Sequence, residues 1–259
     1  MTLYKSITVC LAVVSLLIPS LYTNAETEAK LNGNLNSKNQ TLTYRGDAFS
    51  LESGKLLYTE HHQLFMADGK PVRRITEYQD AELETFAVKE NRYSDNPATP
   101  DFHLNDTRSG YTESVSKNGE NWQVSYSEQN AGGNSQGDKG QLKQPDYTAV
   151  IDAGFDEFVR ASWDKLLKDK TVKFSFAVPS RLEWIDFRLI PLEITDQVVR
   201  VEMRLKSRLL SWLLAPVELT YERSTQRLLT YRGLTNIRDR KGQGTEAEIR
   251  YTYPDKDSN

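Results

Sequence analysis

Residues 150–178, VIDAGFDEFVRASWDKLLKDKTVKFSFAV, decide the fold class, because they predict an amphipathic helix that leads directly into a β-strand. Asp152 is predicted to be the N-cap of the helix. Roughly sixteen residues give a helix about 24 Å long. Apolar side chains recur along one face at the 3.6-residue period. These are Phe155, Phe158, Val159, Trp163, Leu166 and Leu167. Such a face must be buried against another element.

The strand predicted over Thr171–Val178 is the natural partner of this face. Apolar residues alternate there with polar or small ones, which is typical of a half-buried strand. The aromatic residues around the helix and this strand have two interpretations: an ordinary packed core, or the wall of an incompletely filled pocket for an apolar ligand. The candidate lining residues are Phe155, Phe158, Trp163, Phe174, Phe176, Trp184, Phe187 and Trp212.

Residues 1–25 have the features of a cleavable secretory signal peptide. Lys5 precedes the apolar run Ile7–Ile18, and the small residue Ala25 precedes Glu26. The apolar run is too short to span a bilayer comfortably. We therefore expect export, with cleavage after Ala25.

The composition of the chain limits its chemistry and its partners. The single cysteine, Cys10, lies within the predicted signal peptide, so the mature chain is expected to contain no disulfide and no thiol site. The formal net charge is −3, and this weak acidity gives no reason to expect a nucleic-acid partner.

The rest of the chain predicts a mainly β (α+β) protein. We expect a strongly curved antiparallel sheet, or an incomplete barrel, of about a dozen strands packed around the one amphipathic helix. The predicted organisation is a disordered leader at 26–40, a single β-rich domain at 41–253 with a mobile loop at 129–144, and a flexible tail at 254–259.

Turn-forming residues define several of the predicted strands. Asp68-Gly69 and Asn118-Gly119 are strong signals for tight hairpins. Pro191 is expected to separate two strands, Arg181–Leu189 and Leu192–Thr195.

A predicted basic surface follows the alternation of a later strand. Arg200, Arg204, Lys206 and Arg208 fall on one face, beside the apolar residues 209–214. This face is either an ordinary solvated surface or a docking site for an anionic membrane or headgroup.

Motifs with a known chemistry are absent from the sequence. His61 and His62 are adjacent in a predicted strand, so they point to opposite faces and do not chelate one metal together. The Gly-rich residues 132–139 place Asp138 where a phosphate-binding loop needs lysine. We therefore predict no catalytic residue, no metal ligand and no cofactor.

Three segments carry a resemblance to a known family. They are YERSTQRLLTYRGLTNIRDRKG at 221–242, DAGFD at 152–156 and VPSRL at 178–182. Together they resemble a family of uncharacterised exported proteins of Gram-negative bacteria, and this resemblance implies a periplasmic location but no activity. A curved sheet around a helix is also similar to the lipoprotein-carrier fold, whose members hold acyl chains between the sheet and the helix.

Three functional hypotheses follow from these observations. The favoured one is a periplasmic, non-enzymatic binding or carrier protein for an apolar or lipid-like ligand. The second is an envelope protein that binds another protein and no small ligand. The third is a hydrolase whose site no motif reveals.

Overall fold

The computed structural model describes residues 39–129, 134–207 and 215–254. The strands are β1 (Asn39–Ser50), β2 (Leu56–Ala67), β3 (Lys70–Gln79), β4 (Thr85–Arg92), β5 (Asp101–Asp106), β6 (Tyr111–Asn118), β7 (Asn121–Gln129), β8 (Ser135–Leu142), β9 (Thr148–Val150), β10 (Val172–Val178), β11 (Glu183–Ile194), β12 (Val198–Leu205), β13 (Val217–Glu222), β14 (Leu228–Arg238) and β15 (Gly244–Thr252). The helices are α1 (Gly154–Ala161) and α2 (Trp163–Leu166), and a 3₁₀ turn spans Pro179–Arg181. The predicted signal peptide, residues 26–38 of the leader, residues 255–259 of the tail, and Arg208 and Trp212 lie outside the described residues.

All of these strands belong to one curved, open sheet, in the order β8-β7-β6-β5-β4-β3-β2-β1-β15-β14-β13-β12-β11-β10-β9. Strand β1 pairs with both β2 and β15, so two antiparallel meanders extend from the middle of the sheet. Among the described strands, only β9 and β10 run parallel. The predicted fold class is confirmed: the protein is mainly β, with one large curved sheet and little helix.

Two hairpins form where the sequence predicts them. Between β2 and β3, Asp68 has φ 50° and Gly69 has φ 73°, the positive values that a two-residue hairpin turn requires. The ladder closes directly onto this turn, with Ala67 paired to Lys70. Between β6 and β7, Gly119 has φ 60°.

The two ends of the sheet approach each other through side chains. Trp122 of β7 and Trp184 of β11 make an edge-to-face contact, with ring centroids 5.2 Å apart. Trp184 Nε1 also donates a hydrogen bond to the carbonyl oxygen of Lys143 at 2.7 Å. The sheet therefore encloses an interior although β8 and β9 remain edge strands.

The helical segment is broken into two pieces, unlike the predicted sixteen-residue helix. At Ser162, where ψ is 0°, the backbone N–H is shared between the carbonyl oxygens of Phe158 and Val159, both at 3.0 Å, which tightens the turn. The prediction of Asp152 as N-cap was wrong, because Ala153 occupies that position without a side-chain bond. Neither helix has the length and apolar content needed to cross a membrane, and this holds for the described ranges as a whole.

The apolar face of the helical segment packs on strands β10 to β13. Phe158 lies 4.9 Å from Phe174, and Trp163 meets Tyr221 edge-on at 6.0 Å, measured between ring centroids. A second apolar cluster lies on the other meander. Its largest members include Tyr58, Tyr78, Phe86, Leu104 and Trp122.

Three segments differ from the sequence-based expectations. In the predicted loop 129–144, residues 135–142 form β8, which pairs with β7 through backbone hydrogen bonds that place no demand on side-chain composition. Strand β5 was not predicted at all. Pro191 does not end a strand, because β11 continues through a bulge between Pro191 and Glu193.

Gly154 allows a close approach that any larger residue would prevent. A Cβ at this position would lie 2.2 Å from the carbonyl oxygen of Ala98, whereas a Cβ at Gly140 would meet Leu182 at an ordinary 3.5 Å. We expect Gly154→Ala to lower the free energy of unfolding by about 2–3 kcal/mol, since backbone must shift to make room. The matched control Gly140→Ala should change it by less than about 0.5 kcal/mol. Urea denaturation measures both, and equal losses would contradict the close approach.

Candidate functional site

Polar side chains line the inner face of β2, β3 and β4, where a simple amphipathic sheet would carry apolar ones. Glu60 and His62 alternate on β2, as do Arg74 and Thr76 on β3, so each pair faces the same way. The ladder places His62 opposite Thr76, and Thr76 opposite Lys89 of β4. We call the polar wall the set of cavity-lining residues Glu60, His62, Arg74, Lys89, Glu113, Asp152, Asp156, Asn236 and Arg238.

His62 lies at the centre of a buried hydrogen-bonded chain. Its Nε2 is 2.9 Å from Glu60 Oε2, and its Nδ1 is 3.1 Å from Thr76 Oγ1. The Tyr251 hydroxyl also donates to Glu60 Oε2 at 3.2 Å. Burial lowers the pKa of the His62 imidazole below its ordinary value, so the ring is neutral at pH 7 and gives Glu60 no cationic partner.

Thr76, His62 and Glu60 form a chain of hydroxyl, imidazole and carboxylate, and the same order of groups activates the nucleophile in many hydrolases. However, the Thr76 side chain is fully buried and is not part of the cavity lining. The geometry therefore gives no support to Thr76 as a nucleophile toward a molecule in the cavity.

Two carboxylates at the start of the helical segment form ion pairs with cations of the sheet. Asp156 Oδ2 accepts a hydrogen bond from Arg74 Nη1 at 3.1 Å, and Asp156 Oδ1 accepts one from the Tyr221 hydroxyl at 3.2 Å. Burial by itself would raise the pKa of Asp156, but the charges of Arg160 and Arg74 outweigh it and hold that pKa below its ordinary value. Asp156 thus joins β3 to β13 across the interior.

The Asp152 carboxylate likewise binds donors of the sheet, and for this reason it does not cap the helix. Its carboxylate accepts hydrogen bonds from Lys89 Nζ at 3.2 Å, Asn91 Nδ2 at 2.9 Å and Asn236 Nδ2 at 3.3 Å. Its backbone has φ 40°, a left-handed value that is uncommon for a residue other than glycine. The three donors hold the carboxylate in the cavity despite this backbone conformation.

Glu113 of β6 is a buried carboxylate that forms no ion pair with a lysine or arginine of the described ranges. Its Oε2 accepts a hydrogen bond from the Tyr111 hydroxyl at 2.8 Å. Arg238 packs over the Tyr111 ring, 3.7 Å from the ring centre, but forms its ion pair with Glu128 at 2.7 Å. Burial is the main reason that the pKa of Glu113 rises from 4.5 to about 7.

Apolar side chains form the opposite side of the same interior. We call the apolar wall the set Phe155, Phe176, Ile185, Phe187, Met203, Leu205, Val217, Leu219 and Leu228. Between the two walls lies a cavity of about 1280 Å³. This volume is sufficient for a ligand of drug size or larger.

The structure separates the predicted lining residues into three groups. Phe155, Phe176, Trp184 and Phe187 line the cavity. Phe158, Trp163 and Phe174 do not, because they pack against one another and their neighbours in the core, where each is at most 6% exposed. Trp212 lies outside the described residues.

The described members of the predicted basic surface are all paired with carboxylates. Arg200 lies 3.6 Å from Glu193, Arg204 lies 2.7 Å from Glu202, and Lys206 lies 3.2 Å from Asp186. Arg208 is outside the described residues. The positive charge of this face is therefore largely compensated locally.

The polar wall was missed by sequence reasoning, although the sequence carries a signal for it. Polar or charged residues occupy both faces at neighbouring positions, as in His61-His62, Arg73-Arg74 and Lys89-Glu90. A strand with one face in an apolar core cannot show that pattern, so it indicates a polar interior. The segments 152–156 and 221–242, which carry the family resemblance, supply Asp152, Asp156, Asn236 and Arg238 to the wall.

Within the described ranges, no three His, Cys, Asp or Glu side chains are close enough together to hold a metal ion. The polar wall is thus a set of ion pairs and hydrogen bonds distributed over the cavity.

Comparisons with known proteins give two similar solved structures. One is a β-barrel-like protein of the domain of unknown function DUF1849 from Brucella abortus, with a TM-score of 0.35, 9% identity, and coverage of 84% of this chain and 98% of that one. The other is a porin-like protein from Bacteroides uniformis, with a TM-score of 0.24, 8% identity, and coverage of 82% and 97%. No protein-family model and no curated protein matches the chain.

The ionisation of Glu113 should reduce stability as the pH rises. The folded state holds the Glu113 proton more tightly than the unfolded chain, so the penalty is absent below about pH 4.5 and complete above about pH 7. We expect Glu113→Gln to be more stable than the wild type at pH 8, on the order of 3 kcal/mol, with the difference vanishing near pH 4.5. Urea denaturation across this pH range measures it.

Glu90→Gln is the matched control for this experiment. Hydrogen bonds from Arg92 and Arg73 hold the pKa of Glu90 below its ordinary value, so its ionised form stabilises the fold. The control should therefore be less stable than the wild type at pH 8, which is the opposite sign. A Glu113→Gln variant that loses stability at pH 8 would contradict the unpaired charge.

Proposed function

We propose that this protein is a non-enzymatic binding or carrier protein that holds an amphiphilic, lipid-like ligand in the cavity between its two walls. The observation that carries the proposal is the cavity of about 1280 Å³, bounded by apolar side chains on one side and by charged ones on the other. An amphiphile matches both surfaces at once.

The apolar wall supports the hydrocarbon part of such a ligand. Phe155 and Phe187 belong to the same apolar cluster as the fully buried Phe174, yet both also line the cavity. Water in contact with these surfaces is released when a hydrocarbon chain covers them, and each Å² covered stabilises the complex by about 25 cal/mol. A dry apolar surface needs no specific polar partner to accept such a chain.

The polar wall supports the other end of the ligand. Lys89 and Arg74 are fixed by Asp152 and Asp156, so the wall is preorganised before any ligand arrives. Preorganised polar groups set the orientation of a ligand without losing further conformational freedom.

The compartment belongs to the same proposal. The signal-peptide features of residues 1–25 and the family resemblance support a periplasmic carrier, in which the N-terminal sequence of the purified protein begins at Glu26. A carrier with a partly apolar cavity suits that compartment, because free amphiphiles would otherwise partition into membranes.

Filling the cavity tests the proposal. Met203 lines the apolar wall, so Met203→Trp should occupy part of the cavity and weaken binding of the apolar fluorescent probe N-phenyl-1-naphthylamine by about tenfold or more. Leu192→Trp is the control, because Leu192 is 43% exposed and does not line the cavity. Fluorescence titration measures both affinities. Failure of the wild type to bind the probe, or equal affinities for all three proteins, would overturn the proposal.

A further inference from the structure

The cavity lining contains more carboxylates than its cations can pair with. Each lining cation has a carboxylate partner within ion-pair distance. The pairs are Arg74 with Asp156, Lys89 with Asp152, Arg181 with Glu183, Lys206 with Asp186, and Arg238 with Glu128. Glu60 and Glu113 are the lining carboxylates that have no lysine or arginine partner among the described residues.

Because the lining cations already have carboxylate partners, an anionic headgroup is a poor match for the cavity. To pair with Lys89 or Arg74, an incoming carboxylate or phosphate would have to displace Asp152 or Asp156. Displacing either would leave a buried carboxylate unpaired, which is strongly unfavourable.

Glu113 is placed to receive a cation. The residue is 8% exposed and lines the cavity. Its Oε2 is held by the Tyr111 hydroxyl, whereas its Oε1 accepts no hydrogen bond from the described residues and is not sealed off from the cavity. The charge of the nearby Arg238 acts on Glu113 and favours its ionised form, but Arg238 Nη1 donates to Glu128 and to the carbonyl oxygen of Gly242, and within the described ranges Arg238 forms no ion pair with Glu113.

Glu60 provides a second acceptor on the same wall. Its hydrogen bonds from His62 and Tyr251 both go to Oε2, and neither donor carries a charge at neutral pH. The charge of Lys89 acts on Glu60 from a distance, but Lys89 forms its ion pair with Asp152. Glu60 and Glu113 are therefore the two carboxylates of the wall that lack a lysine or arginine partner within the described ranges.

We propose that the amphiphilic ligand carries a cationic nitrogen group, an amine or ammonium, which pairs with Glu113 while the hydrocarbon part lies on the apolar wall. Glu60 adds to the negative potential that attracts the group. A desolvated charge pair with a hydrogen bond is among the stronger single contacts available to a ligand. This assignment of the headgroup rests on the proposed function, since it names the ligand class of the same cavity.

The experiment compares three probes that share one hydrocarbon chain: decylammonium, decanoate and decanol. Isothermal titration calorimetry at pH 8 on the full mature chain should give an affinity for decylammonium at least about tenfold higher than for the other two. Glu113→Gln should remove that preference by lowering the affinity for decylammonium to that for decanol. Glu90→Gln is the control, because Glu90 lies on the opposite face of β4 and pairs with Arg73 and Arg92, so its removal should alter none of the affinities.

The outcomes separate this inference from the proposed function. Equal affinities for the three probes, or a preference for decanoate, would overturn the cationic headgroup and leave the amphiphile-binding function standing. An unchanged preference in Glu113→Gln would overturn the role of Glu113. If no probe binds the wild type, the proposed function fails together with the inference.

Discussion

A curved sheet that turns charged side chains inward is stable only when those charges are compensated away from bulk water. Here the compensation comes from a short segment before and within the first helix. Asp152 pairs with Lys89 of β4, and Asp156 pairs with Arg74 of β3. Because Asp156 also accepts a bond from Tyr221 of β13, one segment connects the two meanders across the interior. The polar interior and the position of the helix therefore depend on each other.

This mutual dependence explains why the interior is not a solid core. The apolar face of the helical segment packs against β10 to β13. Its residues Phe158 and Trp163 are buried there in one cluster with Phe174 of β10. The charged face points to β2, β3 and β4, where the cavity-lining side chains include Glu60, His62, Arg74 and Lys89. Two such surfaces cannot close on each other with apolar packing, so a space remains between the polar wall and the apolar wall. Edge-to-face contact between Trp122 and Trp184 holds the sheet ends around that space.

Periodicity in the sequence predicts the fold class, the hairpins and the strand after the helix, because each depends on local pattern or turn chemistry. The helix break at Ser162 and strand β8 were missed, since backbone hydrogen bonding rather than side-chain pattern determines both. The candidate site was predicted only on its apolar side, where Phe155 and Phe187 are conspicuous. Its polar side joins residues of β2, β3, β4 and β6 with the helical segment and β14, and a single sequence does not state which charges meet across such distances. Asp152 shows the limit most clearly: its local context favours an N-cap, but three distant donors bind it instead.

A double-mutant cycle on Lys89 and Asp152 tests the central claim most directly, that these buried charges hold the helical segment to the sheet. Lys89→Met removes the cation, and Asp152→Asn removes the negative charge with a residue that tolerates the left-handed backbone. Each single variant should lower the free energy of unfolding by about 3 kcal/mol. The double variant should lose less than the sum of the two by at least about 1 kcal/mol. Losses that add to within about 0.5 kcal/mol would contradict the account.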